Sequence, residues 1–262
     1  MYSLSFFKNF GSNTFYEIKE EPINNLLKIA KKMNIPTKLV ENQPIIYHFN
    51  KISFVQKMNT KILTDVEKNE IEIKSLMNKI TNETYEEISK TIIELMEPCM
   101  FSSIYEISYK NKFFSNIYSK LTLKLCKKAE YKEFIIKKLE GVSTLFDDIQ
   151  YLEDEYANNK KLDDREAISC FYTNLYIHGL VDKFCFESFI YYIISKIEYF
   201  MDIENKKNEV EELLNILYLL ISLSCIKVDT SLIEKISKSS NKTYKSITNK
   251  SIFKCMDIMD LK

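Results

Sequence analysis

Three sets of residues in this sequence could do chemistry. Two histidines, His48 and His178, could ligate a metal or move a proton. An acidic string, FDDIQYLEDE, brings Asp147, Asp148, Glu153, Asp154 and Glu155 close together, as a divalent cation would require. Two lysine-rich stretches could meet a polyanion: Lys120, Lys124, Lys127, Lys128, Lys132, Lys137 and Lys138 in one, and Lys235, Lys238, Lys242, Lys245, Lys250 and Lys254 in the other. A fourth kind of site is argued against at once. Loops that cradle phosphate need closely spaced glycines so that backbone amides can approach the ligand, and three isolated glycines (Gly11, Gly141, Gly179) cannot build one.

Each set also has a plainer reading. The histidines are far apart in sequence, and His178 sits at an expected helix end just before Gly179, a structural position, so neither is assigned a site. The acidic string is similar to the aspartate-rich magnesium motifs of prenyl-transferring enzymes. Those enzymes need a second phosphate-binding helix facing the first, and none is evident, so the string reads as a solvated helix end. The lysines read first as the polar side of amphipathic helices, since acidic residues are interspersed with them; Lys124, Lys127 and Lys128 are the candidates for contact with RNA. No catalytic residue, metal ligand or cofactor is assigned, and no enzymatic activity is expected. The six cysteines (Cys99, Cys126, Cys170, Cys185, Cys225, Cys255) contain no CxxC pair and lie mostly on apolar stretches, which predicts buried thiols in a reducing compartment, without disulfides or zinc.

The elements that would position these residues are helices. Over 262 residues, only three glycines and four prolines are available as punctuation, too few for a sheet-rich fold of this size. From about residue 66 onward apolar residues recur at helical spacing. Phe114, Ile117, Tyr118, Leu121 and Leu125 form one stripe; Phe186, Phe189, Ile190, Ile193, Ile194 and Ile197 a second; Val210, Leu213, Leu214, Leu217 and Ile221 a third. Thr84, Ser103, Asp163 and Ser231 each precede a glutamate at capping-box spacing. Together these signals predict helices over 66–79, 84–97, 102–110, 113–128, 131–152, 164–178, 183–202, 207–225, 230–239 and 248–261. YANNKKLDD at 156–164 is expected to be an exposed loop. The resulting fold class is all-α: an α-solenoid of about five antiparallel hairpins at the ~40-residue HEAT-like period, with an irregular helical bundle as the alternative, since the repeats share no visible sequence identity. It would occupy 66–262, behind a partly helical extension, 1–65, whose best helical stretch is INNLLKIAKKM at 23–33.

Several segments, in order, resemble the middle domain of translation initiation factor 4G. IKSLMNKITNETYEEI (73–88) is similar to its opening helix, turn and second helix; FFSNIYSKLTLKL (113–125) and FIIKKLEGVSTLF (134–146) resemble the two helices further on. REAISCFYTNLYIHGLV (165–181) looks like its arginine-led helix, EVEELLNILYLLISLSCIKVD (209–229) like its leucine-rich helix, and NKSIFKCMDIMDLK (249–262) like its closing helix. There are departures: Thr173 and Asn174 stand where the family has a glycine and an acidic neighbour, the glycine after the leucine-rich helix is lost at Ser224 or Cys225, and the final arginines are Lys250 and Lys262.

The resemblance implies a non-enzymatic scaffold that grips a DEAD-box helicase of the initiation factor 4A type by both lobes and favours a half-closed arrangement. It points to Phe49, Ile52 and Phe54 upstream, and to Lys227, Asp229, Lys254 and Asp257 near the other end, as contact residues. YHFNKISF at 47–54 invites comparison with the helix by which such scaffolds hold the cap-binding subunit, although Ile52–Ser53 stands where two apolar residues are expected. Two rivals share parts of this reading: the same fold serving nuclear cap binding, splicing or RNA surveillance with another DEAD-box partner, or an unrelated helical host-interaction protein. The 37 basic and 37 acidic residues cancel, so any RNA contact would be local. MYSLSFFKNF lacks a secretory-leader pattern and the longest apolar run, 213–226, is too short for a bilayer, which predicts no membrane partner and a cytoplasmic protein. Heavy use of Lys, Asn, Ile and Tyr without Trp suits an A/T-rich genome, such as that of a large DNA virus acting in a host cytoplasm.

Overall fold

The first helix begins where the sequence can cap it. In the computed structural model the Thr64 hydroxyl accepts from the Glu67 amide at 3.2 Å and the Glu67 carboxylate accepts from the Thr64 amide at 2.9 Å, a reciprocal capping box. The chain divides into two units, Met1–Lys61 and Ile62–Lys262. The structure describes residues 63–261, and upstream of them only Lys28 and Lys32, both helical and exposed. Ten helices follow over the second unit: α1 (Asp65–Met77), α2 (Tyr85–Leu95), α3 (Phe101–Lys110), α4 (Ser115–Leu125), α5 (Ala129–Leu139), α6 (Glu155–Ile177), α7 (Lys183–Met201), α8 (Lys207–Ser224), α9 (Ser231–Ser237) and α10 (Asn249–Met259). Short 3₁₀ turns sit at Pro98–Met100 and Ser143–Phe146, and there is no strand among the described residues. The fold is all-helical.

Neighbouring helices pair as α1 with α2, α3 with α4, α7 with α8, and α9 with α10. Every even-numbered helix also packs on the next even one, α2 on α4, α4 on α6, α6 on α8, α8 on α10. At three of these four seams, α2–α4, α4–α6 and α8–α10, the helices run the same way, because the contacts between them climb in step. Lys124 and Lys128, at the end of α4, meet Glu86 and then Met96 of α2 and its exit. Ser115 and Asn116 meet Asn174 and His178. Glu211 and Tyr218 meet Lys250 and Lys254. The odd-numbered helices are less continuous: α3 packs on α5, but α7 packs chiefly on α8 and, on the α5 side, meets the Ser143–Phe146 turn. Apolar stripes from both sets close a single buried core, in which Tyr118, Tyr131, Phe146, Phe171 and Phe186 are the largest wholly enclosed side chains.

Two expected boundaries fail together. The helix expected over 131–152 stops at Leu139, and the expected loop 156–164 is helical, the first half of α6. At the first, Gly141 and the Thr144 hydroxyl, which donates to the Gly141 carbonyl at 2.7 Å, turn the chain so that Phe146 is buried beside the Phe189 ring, centroids 5.6 Å apart. At the second, the Asp154 carboxylate caps α6 by accepting from the Ala157 amide at 3.1 Å. Asn158, one turn in, accepts from the Leu152 amide at 2.9 Å and donates to the Leu152 carbonyl at 2.7 Å, satisfying the incoming backbone. An amide side chain thus supplies what an apolar stripe supplies elsewhere.

The expected caps also redistribute. Thr84 sits at the N-cap of α2 but its hydroxyl bonds locally to Thr81 and the Lys79 carbonyl, Ser103 and Asp163 lie inside helices, and Thr230, not Ser231, precedes α9. The other reciprocal box is Thr248 with Ser251. Of the cysteines, Cys126, Cys170 and Cys255 are buried as expected, whereas Cys99, Cys185 and Cys225 are exposed; all six are free thiols. Burial pushes the thiols of Cys126 and Cys255 up to about 11 and about 12, which keeps them protonated and inert.

Candidate partner-binding surfaces

The turn between α8 and α9 carries the first two expected contact residues on the described part of the chain. Cys225 ends α8 in a left-handed conformation (φ 52), and Lys227 and Asp229 follow, both exposed. The Asp229 carboxylate accepts from the Ser231 amide at 2.9 Å and so starts α9. The Thr230 hydroxyl reaches the Met259 sulfur at 3.6 Å, which sets this turn beside the end of α10. On α10, Lys254 and Asp257 pair with each other at 3.4 Å, and the Lys254 ammonium lies 4.5 Å from the centre of the Tyr218 ring. The turn therefore lies beside the end of the helix that carries Lys254 and Asp257. Lys227 has no ion pair there among the described residues, while Lys254 is held between a carboxylate and an aromatic face. Phe49, Ile52 and Phe54 lie outside the described residues.

Helix α10 also holds residues that sequence reasoning missed. Phe253 and Met256 are 64% and 42% exposed on α10. The signal was available, because Ile252, Cys255 and Ile258 form the buried stripe and Phe253 and Met256 fall one position off it.

The three lysines put forward for RNA do not share one free patch. Lys124 bonds the Glu86 carboxylate at 2.7 Å and the Ser89 hydroxyl at 3.1 Å, over the Tyr85 ring. Lys128 donates to the Ile93 and Met96 carbonyls at 3.2 and 3.1 Å, covering the negative end of α2. Lys127 remains exposed, beside a shallow cavity that Lys90 and Lys124 also line. In the second stretch Lys238, Lys245, Lys250 and Lys254 are all in ion pairs.

The acidic string is likewise dispersed. Asp147 accepts from the Tyr192 hydroxyl and lies 3.4 Å from Lys196, and that hydrogen bond, ahead of the lysine charge, holds its carboxyl below the usual range. Asp154 is the α6 cap, and Asp148 and Glu153 line separate cavities. Among the described residues no group of three or more His, Cys, Asp or Glu side chains is arranged to hold a metal ion. His178 caps α6, with Nε2 at 3.0 Å from the Asn116 side-chain oxygen. Gly179 follows at φ 80, and the Leu180 and Gly179 amides return to the Leu175 and Tyr176 carbonyls at 2.9 Å in a Schellman motif.

One polar cluster has structural weight. Arg165 of α6 forms a two-pronged pair with Glu212 of α8, Nε on one carboxylate oxygen and Nη2 on the other at 2.9 Å, and the Tyr151 hydroxyl adds a third bond at 2.9 Å. Glu212 is 2% exposed and Arg165 9%. Burial and then the Glu212 charge push the Tyr151 hydroxyl well above its ordinary pKa, so it stays a donor.

No protein-family model matches this chain, and neither does any curated protein. The described residues contain no helix long and apolar enough to cross a membrane.

Proposed function

We propose that residues 66–262 form a HEAT-like α-solenoid of the initiation factor 4G middle-domain type, a non-enzymatic cytoplasmic scaffold for a DEAD-box helicase of the initiation factor 4A type. The observation that carries the reading is the row α2, α4, α6, α8, α10, each member packed on the next. Stacked hairpins have this arrangement, and it aligns the turns between successive hairpins along one edge. Lys227 and Asp229 in one such turn, with Lys254 and Asp257 close by, suit a helicase lobe that presents both signs of charge. A scaffold of this kind acts through differential affinity: it accelerates the helicase only if it binds the half-closed state more tightly than the open one.

The test is a pull-down of initiation factor 4A with the purified chain, followed by ATPase assays of the helicase with and without it. Binding with stimulated turnover is expected, and charge reversal at Lys227 (Lys227→Glu) should weaken it. ATP hydrolysis by the chain alone, or no binding to any DEAD-box helicase, would overturn the reading.

A further inference from the structure

The break between α5 and α7 leaves an apolar groove. Two cavities of about 370 and 260 Å³ lie there, and they share Leu139, Glu140, Tyr172 and Cys185 along their walls, so they form one trough. Ile136 on the α5 side is 43% exposed and Phe184 on the α7 side 78% exposed, large apolar groups standing outside the core at the two margins. The charged residues lining the trough are Glu140 and Asp182, and among the described residues no lysine or arginine lines either cavity. In a chain with zero net charge, both charged side chains that line this apolar trough are acidic.

We propose that this groove docks one amphipathic α-helix of a partner protein, its apolar ridge inward and its lysine or arginine flanks against Glu140 and Asp182. A trough between two helices admits a third by the same ridge-into-groove packing that joins the even-numbered row. Two linked hollows fit apolar side chains spaced at i, i+3 or i+4, and i+7 on one helical face. The acidic margin selects a cationic helix over an anionic one. This site is independent of the helicase reading, since its residues lie on α5, α6, α7 and their connections and include none of those assigned to the helicase.

The experiment uses the full chain and two fluorescein-labelled peptides of about 18 residues, each with leucines at helical i, i+3, i+4, i+7 spacing, one with lysine and the other with glutamate on the polar face. Anisotropy titrations should give the leucine–lysine peptide at least about tenfold tighter binding. Phe184→Glu and Ile136→Glu should each weaken it by a similar factor. Both substitutions add negative charge, so simple electrostatic adhesion would instead strengthen. A second readout needs no variant: Cys185 lines both cavities and is exposed, so bound peptide should slow its alkylation while leaving Cys99 and Cys225 unchanged. Equal binding of both peptides, unweakened binding by the variants, or undiminished Cys185 alkylation would overturn the proposal.

Discussion

The even-numbered helices are tied helix to helix by specific polar contacts, whereas among the described residues no hydrogen bond or ion pair joins α5 itself to α7, and an apolar groove lies open between them. Lys124 and Lys128 tie α4 to α2, Asn174 and His178 tie α6 to α4, Arg165 with Glu212 ties α6 to α8, and Thr248 with Lys250 ties α10 to Glu211 of α8. Across the other seam α7 rests on the turn after α5, where Phe146 packs on Phe189 and Asp147 takes Tyr192 and Lys196, and the exposed Ile136 and Phe184 stand beside the gap. Apolar contact alone fixes burial but not register, since many slides of one greasy face over another bury similar area. A hydrogen-bonded pair has one geometry. The row with the polar ties is the one whose register is set, and the open seam is the one free to accept something else.

The largest test of this contrast is Glu212. Glu212→Ala leaves the Arg165 guanidinium buried without its counter-charge and Tyr151 without its acceptor, and should destabilise the fold by about 3–5 kcal/mol. Phe184→Ala, on the open seam, should stay within about 0.5 kcal/mol. Urea unfolding midpoints at constant slope would measure both. Similar losses in the two variants would remove the distinction between the rows. The double variant Arg165→Met with Glu212→Leu sharpens it further. If the pair contributes register more than energy, stability should return to near the starting value while the proposed helicase binding falls.

Helical periodicity made most of this architecture legible. Each of the ten expected helices corresponds to an observed one, because a buried stripe at 3.6-residue spacing is written directly into Ile190, Ile193 and Ile197 or Leu213, Leu217 and Ile221. Helix α6 shows the limit. Its first half carries no stripe, and what makes it helical is a cap at Asp154 and a tertiary hydrogen-bond pair at Asn158, neither of which has a periodic signature. The Arg165–Glu212 pair was half visible, as the arginine that leads a helix. Its partner sat unnoticed in EVEELL, because a charge next to leucines reads as the polar face until the fold shows otherwise. Candidate contact residues suffered similarly: Lys124 and Lys128 look solvent-facing in sequence, and only the packing of α4 on α2 reveals that both are occupied.

That occupation is testable. Lys128→Met should cost about 1 kcal/mol, since it uncovers the Ile93 and Met96 carbonyls at the negative end of α2. Lys127→Met, with no such contact, should be within about 0.5 kcal/mol. If instead both lysines prove neutral for folding and both weaken binding to RNA, the first stretch is a nucleic-acid surface and not a tie within the row. A smaller gain is expected at the end of α8. Cys225 holds φ 52, a conformation that glycine adopts without strain, so Cys225→Gly should stabilise by a few tenths to about 1 kcal/mol once the greater freedom of the unfolded chain is counted. Gly179, at φ 80 at the equivalent end of α6, gives the mirror experiment, with Gly179→Ala destabilising.

The smallest effect is a pH dependence at the tie between α6 and α4. Burial, and secondarily the Lys120 charge, lower the His178 pKa from its ordinary value, and the contact with the Asn116 oxygen opposes them. The folded state therefore holds the proton less tightly than the unfolded chain does. Between the lowered folded pKa and the unfolded value of about 6.5, the unfolded state binds more protons, so stability rises with pH through that window. The contribution is present above about pH 6.5 and is lost as the pH falls through the folded value. Replacing His178 with Gln, which can still donate to Asn116 but does not titrate, should flatten the stability profile between about pH 5 and 7. The test is a set of urea midpoints across that range for both proteins. Parallel profiles would mean that the α6–α4 tie is insensitive to charge at His178.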